Sequence, residues 1–233
     1  KDAYNYPVPL EAVYPRAFIL RLDQGPTASF KDFAARMMAR LMSHSRPEGE
    51  RINILVATSG DTGSAVGEAY KGVTGIDVTI LYPAAEVSAM QKKQLDTIGG
   101  NVQAVSVDGK FDDCQNLVKE AFSDPELARF NLSSANSINF GRILPQIVYY
   151  VWAYAQLAGA GEEVVFCVPS GNFGNALGCE YARRMGLPVA KLIMPTNEND
   201  EFPLYLETGR YTKVSPSRAC ISNAMNVGHP SNL

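Results

Sequence analysis

The chain has 233 residues, 46% of them hydrophobic, enough to bury a core in one large domain or two small ones. Its 21 basic and 24 acidic residues leave a net charge of 21 − 24 = −3, and no basic cluster with interleaved aromatics points to nucleic acid. Two histidines and four scattered cysteines (Cys114, Cys167, Cys179, Cys220) lack metal-ligand spacing, so no metal is expected; the cysteines read as free thiols of a reducing, cytoplasmic compartment.

Residues before Asp23 are expected to form little beyond a proline-rich approach. A Gly25-Pro26 turn then delivers Lys31 to the start of a helix, with Phe30, Phe33, Ala34, Met37, Met38 and Leu41 at three-to-four spacing. The positive end of a helix favours the free amine, the form that Schiff-base chemistry requires. The same pattern also fits a solvated lysine beside Asp32. Further on, β-branched runs alternate with helical ones. Strands are expected at 52–57, 78–82, 102–107, 164–168 and 191–194, and helices at 64–70, 88–98, 112–122, 145–157 and 176–185. Valine- and isoleucine-rich strands separated by helices predict parallel β-α-β units. The longest apolar run, Ile147 to Ala155, is too short for a membrane span.

Two strands run into glycine-rich loops that open helices: Thr58-Ser59-Gly60-Asp61-Thr62-Gly63 and Pro169-Ser170-Gly171-Asn172-Phe173-Gly174-Asn175. Backbone N–H groups at a helix N-terminus suit a phosphate, although tight strand-to-helix turns need glycine anyway. Neither loop is a Walker A or a dinucleotide fingerprint. A third polar cluster runs from Ser133 to Arg142, and its uncharged donors with one arginine suit a second oxyanion. It also fits an ordinary capping loop with Asn136 and Ser137 bonded to nearby backbone.

The segments GPTASFKDF (25–33), ATSGDTGSAV (57–66), FDDCQ (111–115), SANSINFGRILPQ (134–146), VPSGNFGNA (168–176) and SNAMNVGHPSN (222–232) resemble the threonine synthase family, in its longer microbial and fungal branch. These are pyridoxal-phosphate enzymes of fold type II, the tryptophan-synthase-β type. The likeness spans about residues 4–233. It implies two open, mostly parallel, three-layer α/β domains, incomplete at both ends. The smaller would be 32–140, and 1–31 plus 141–233 would be part of the larger. It implies that Lys31 bonds pyridoxal phosphate as a Schiff base and that Gly171, Asn172, Phe173, Gly174 and Asn175 hold the cofactor phosphate. Asp61 would lie near the cofactor, where related enzymes often have asparagine. Ser59, Thr62, Asn136, Ser137 and Arg142 would bind the phosphate and carboxylate of O-phospho-L-homoserine, converted with water to L-threonine and phosphate. Gln24 departs from the histidine expected in this branch. The residue meeting the cofactor's ring nitrogen is expected beyond Leu233. The expected partner is a small molecule, not nucleic acid or membrane, and the protein is expected to be a monomer or homodimer. Two other readings remain: another fold-type-II lyase such as a serine/threonine dehydratase, and a non-catalytic ligand-binding relative.

Overall fold

A computed structural model describes residues 2–232. Lys1 and Leu233, which the expected domain spans include, lie outside the described residues. The chain divides into two compact units, Lys1–Gly141 and Arg142–Leu233.

The first unit opens with a hairpin, β1 (Leu10–Tyr14) against β2 (Ala17–Leu20), where only a proline-rich approach is expected from the sequence. Its apolar side chains Val13, Tyr14, Phe18 and Ile19 are exposed, so no alternating pattern marks it in the sequence. Arg21 holds it by pairing with Glu11 at 2.6 Å and Asp23 at 2.7 Å.

Helix α1 (Lys31–Ser45) follows, then β3 (Ile52–Ala57), α2 (Asp61–Tyr70), β4 (Ile76–Pro83), α3 (Ala89–Asp96), β5 (Val102–Val107), α4 (Phe111–Ser123) and a short β6 (Leu132–Ser134). These strands form one parallel sheet in the order β5-β4-β3-β6. Period-two alternation sorts its side chains. Ile54, Val56, Val78, Ile80, Tyr82 and Val102 face α1, α2 and α3, meeting Ala35, Met38, Val66, Tyr70 and Leu95. Leu55, Ala57, Leu81 and Val107 face the opposite way, onto Cys114 and Val118 of α4. Helices on both faces make this unit the expected three-layer α/β arrangement. Beyond the three strands expected here, the sheet has a fourth, β6. Its sequence, Leu-Ser-Ser, offers no apolar run.

The second unit begins at the end of a 3-10 turn, Phe140–Arg142, and opens with another at Leu144–Gln146. Helix α5 (Ile147–Leu157) leads to β7 (Val164–Cys167), α6 (Gly174–Arg184), β8 (Val189–Ile193) and α7 (Glu201–Thr208). Strands β7 and β8 pair in parallel, as a β-α-β unit requires. Helix α5 buries Ile147, Tyr149, Tyr150 and Ala153, and the Tyr150 ring meets Phe166 of β7 edge-on at 5.0 Å. Among the described residues, no helix is long and apolar enough to cross a membrane and no group of three potential metal ligands occurs.

Candidate active site

The strand order of the first unit creates a switch point. From β3 the chain moves outward through β4 to β5, then returns to β6 on the other side of β3. Ligands of open α/β sheets gather beyond the C-terminal strand ends at such a point. The segments leaving β3 and β6 there carry Ser59, Asp61 and Thr62, and Asn136 and Ser137.

The loop after β3 is organised from within. The buried Thr58 hydroxyl accepts the N–H groups of Gly60 (2.9 Å) and Gly63 (2.8 Å), capping the start of α2. Asp61 opens α2, and its negative charge complements the positive helix end. Its Oδ2 lies 3.4 Å from Nζ of Lys31, the first residue of α1. The Lys31 side chain is 15% exposed and the Asp61 side chain 31%. Lys31 Nζ also sits 4.6 Å from the centroid of the Phe30 ring. The helix end that disfavours the ammonium is thus offset by a carboxylate that favours it. Ser59 and Thr62 are half-buried at the same loop.

The turn before Lys31 is built on Asp32, which is 1% exposed. Its carboxylate accepts the Thr27 N–H at 2.9 Å and the Thr27 hydroxyl at 2.8 Å. A Cβ on Gly25 would overlap Asp32 Oδ2, so the carboxylate occupies the space that glycine leaves. Sequence alone presents Asp32 only as the neighbour of a solvated lysine. Desolvation by burial is the largest influence on this carboxyl and raises it above the usual carboxylate range, against the Thr27 bonds that lower it. A raised folded-state value means that the folded chain holds the proton more tightly than the unfolded one. Its stability contribution is full below the unfolded value and is lost as pH rises through the folded one. Urea-unfolding midpoints are therefore expected to fall over the range just above ordinary carboxylate titration, and Asp32→Asn to flatten that fall. Equal slopes in the two proteins would refute it.

The polar segment after β6 folds on its own asparagines. Asn136 extends the edge of the sheet with its side chain: Oδ1 accepts the Ala57 N–H at 3.2 Å and Nδ2 donates to the Ala57 carbonyl at 2.7 Å. Asn139 donates to the Ser134 carbonyl at 2.8 Å and accepts the Gly141 N–H at 2.9 Å. Ser137 is half-buried.

In the second unit, the loop from β7 to α6 carries Gly171, Asn172, Phe173, Gly174 and Asn175. Phe173 has φ 57°, which swings the chain into α6 at Gly174. This left-handed residue is buried and packs edge-on against Phe202 of α7 at 4.9 Å. Beside Phe202, Glu201 is buried, and desolvation lifts its carboxyl above the usual range. Asn175 is committed to the loop itself. Its Oδ1 accepts the Ala176 N–H (3.0 Å) and the Ser170 hydroxyl (2.9 Å), and its Nδ2 donates to the Pro169 carbonyl (2.9 Å). Asn172 Oδ1 accepts the Ser231 N–H at 3.1 Å. A Cβ on Gly171 would come within 2.7 Å of the Met225 backbone, so this segment closes on the loop too tightly for a side chain there. From Val168 to Leu177 the loop and first turn carry no charged side chain. Its uncharged donors at a positive helix end suit an anion, whereas the start of α2 already carries Asp61. Arg142, the first residue of this unit, is buried and its carbonyl accepts from Gln146 Nε2 at 2.6 Å.

The structure therefore brings Lys31, Asp61, Ser59, Thr62, Asn136 and Ser137 into one unit, and Arg142 and Gly171–Asn175 into the other. Two contributors do not stand out in the sequence, Asp32 and Gln91. Gln91 Nε2 donates to Asp61 Oδ1 at 2.7 Å. The Ser-x-x-Gln spacing of Ser88 and Gln91, a capping-box pattern, is the signal that could have found it.

The threonine synthase of Haemophilus influenzae is 46% identical to the chain over 234 aligned residues, covering 100% of the chain and 55% of that relative. The crystal structure of threonine synthase from Escherichia coli matches 98% of the chain with a TM-score of 0.91 at 44% identity, and that from Brucella melitensis, solved with pyridoxal phosphate bound, matches 97% with a TM-score of 0.89 at 43% identity. The chain covers 53% and 49% of those two structures, so it spans about half the length of the relatives it matches. A family model described as pyridoxal-phosphate dependent enzyme matches residues 8–233, nearly the whole chain, and with the parallel sheet and the lysine heading α1 this makes the chain a member of the pyridoxal-phosphate dependent enzymes.

Proposed function

We propose that this chain is part of a cytoplasmic threonine synthase, which converts O-phospho-L-homoserine and water to L-threonine and phosphate. The observation that carries the proposal is Lys31 at the head of α1, its Nζ on Asp61 beside the switch point of the parallel sheet. The similarity to threonine synthases along the whole chain supports it.

The donors present fit pyridoxal phosphate. Lys31 would supply a primary amine for its aldehyde, and the uncharged loop Gly171–Asn175 at the start of α6 would supply N–H donors for its phosphate. When bound, the cofactor supplies an electron sink for negative charge developed at the substrate Cα. Lys31 Nζ would be the base that moves protons at the substrate Cα and Cβ. Phosphate departs from Cγ and water adds at Cβ. Ser59, Thr62, Ser137 and Arg142 hold the substrate's phosphate and carboxylate. Asn136 joins them through its second amide hydrogen, the first being donated to Ala57. Residues 32–140 form the smaller domain, and 1–31 with 141–233 contribute to the larger.

The test is made on the full-length protein supplied with pyridoxal phosphate. Phosphate and threonine are expected to form in equal amounts from O-phospho-L-homoserine. Ketoacid formation from threonine, with no phosphate release, would instead assign a dehydratase.

A further inference from the structure

Gln91 lies on α3, which contributes none of the site residues named from the sequence. Gln91 is 8% exposed and both ends of its amide are engaged. Oε1 accepts the Ser88 N–H at 2.9 Å, and Nε2 donates to Asp61 Oδ1 at 2.7 Å. The other oxygen of the same carboxylate, Oδ2, faces Lys31 Nζ at 3.4 Å. Held at both oxygens, the carboxylate cannot rotate without breaking one of the two contacts.

Three further features serve this arrangement. Ser88 caps α3 and accepts the Gln91 N–H at 3.2 Å, so backbone and side chain of Gln91 are fixed together. Helix α3 is itself pinned to β4, because the Tyr82 hydroxyl donates to Asp96 Oδ1 at 2.8 Å and accepts from Lys92 Nζ at 3.0 Å. Finally, a Cβ at Gly60 would overlap Gln91 Cδ, so the amide crosses the space over the Gly60 backbone.

We propose that Gln91 is a positioning residue for Lys31: its amide fixes the Asp61 carboxylate so that one oxygen always faces the lysine amine. The proposal rests on the reading of Lys31 as the cofactor-bonding lysine. It gives α3 a part in the chemistry without contact with the reacting atoms, and it explains why an acid can stand at Asp61. An unrestrained carboxylate beside the amine would turn toward solvent, and the pair would weaken.

Two variants of the full-length protein, Gln91→Met and Gln91→Glu, separate this role from packing. The measurement is the acetylation rate of Lys31 Nζ by trace acetic anhydride across pH in cofactor-free protein, quantified by mass spectrometry of the Lys31 peptide. Gln91→Met removes the donor and releases Asp61, so Lys31 is expected to label roughly threefold faster at a given pH, the scale of a partly exposed ion pair. Gln91→Glu sets a second carboxylate beside Asp61, so Lys31 should label more slowly than wild type. Opposite signs support the proposal. Unchanged rates, or equal acceleration in both variants as simple loosening of α3 would produce, overturn it. Borohydride reduction of wild type with pyridoxal phosphate tests the underlying reading separately. Reduced cofactor on another lysine would refute the role of Lys31, whereas the labelling rates alone decide whether Gln91 holds Asp61 against it.

Discussion

Replacing Lys31 with alanine in the full-length protein is expected to lower phosphate release from O-phospho-L-homoserine by at least about 10³-fold, the scale seen when a reacting group is removed. The fold should survive. Lys31 is the first residue of α1, its side chain is partly exposed, and its ion pair with Asp61 spans 3.4 Å. A pair of that kind contributes about 1 kcal/mol or less, and alanine is a better helix former than lysine. Loss of activity without loss of structure separates a chemical role from a supporting one. Two measurements decide it: turnover, and the visible absorbance of bound cofactor, which should not take its wild-type form in the variant. Activity within tenfold of wild type would assign the bond to a different lysine.

The second large effect is expected at Gly60, where φ is 130° and ψ is −77°. L-residues rarely adopt that backbone, so Gly60→Ala stores strain of about 1–3 kcal/mol. The new methyl also overlaps the Gln91 amide and must expel it, which adds about 1–3 kcal/mol of overpacking. The expected total is about 2–6 kcal/mol, read as a lowered urea-unfolding midpoint. The two parts can be told apart by a double-mutant cycle. In a Gln91→Ala background the steric part should vanish and the backbone part remain. A loss below about 0.5 kcal/mol in the single variant, within the range of ordinary surface substitutions, would show that the turn adapts.

Much of the fold is legible in the sequence because it is coded by periodicity. Strands β3 and β5 match their expected limits, and α1, α2 and α4 extend only a few residues further. The failures share a cause. The hairpin β1–β2 exposes its apolar residues, β6 has three residues and two serines, and α7 carries Pro203 within an eight-residue span. Each is set by long-range pairing or packing that no local pattern encodes. The same division runs through the site. Lys31 and the glycine loops are visible because their residue types are unusual where they stand. Asp32 and Gln91 are not, since their importance lies in what a carboxylate or an amide reaches across space, through Thr27 in one case and Asp61 in the other. Asn136 is legible by type, and the structure adds that half of its amide is spent on Ala57.

That last contact makes the sheet a sensor of a loop. Thr58 N–H is held by the backbone carbonyl of Leu81 in the neighbouring strand, at the end of the β3–β4 pairing. Ala57 N–H, one residue earlier, is held by a side chain belonging to the segment after β6. The solvent-exchange lifetime of these adjacent amide protons therefore reports two different events. Thr58 exchanges when the sheet opens, whereas Ala57 exchanges whenever the 134–141 segment lets go. The ratio of the two lifetimes is a built-in gauge of how firmly that segment is seated.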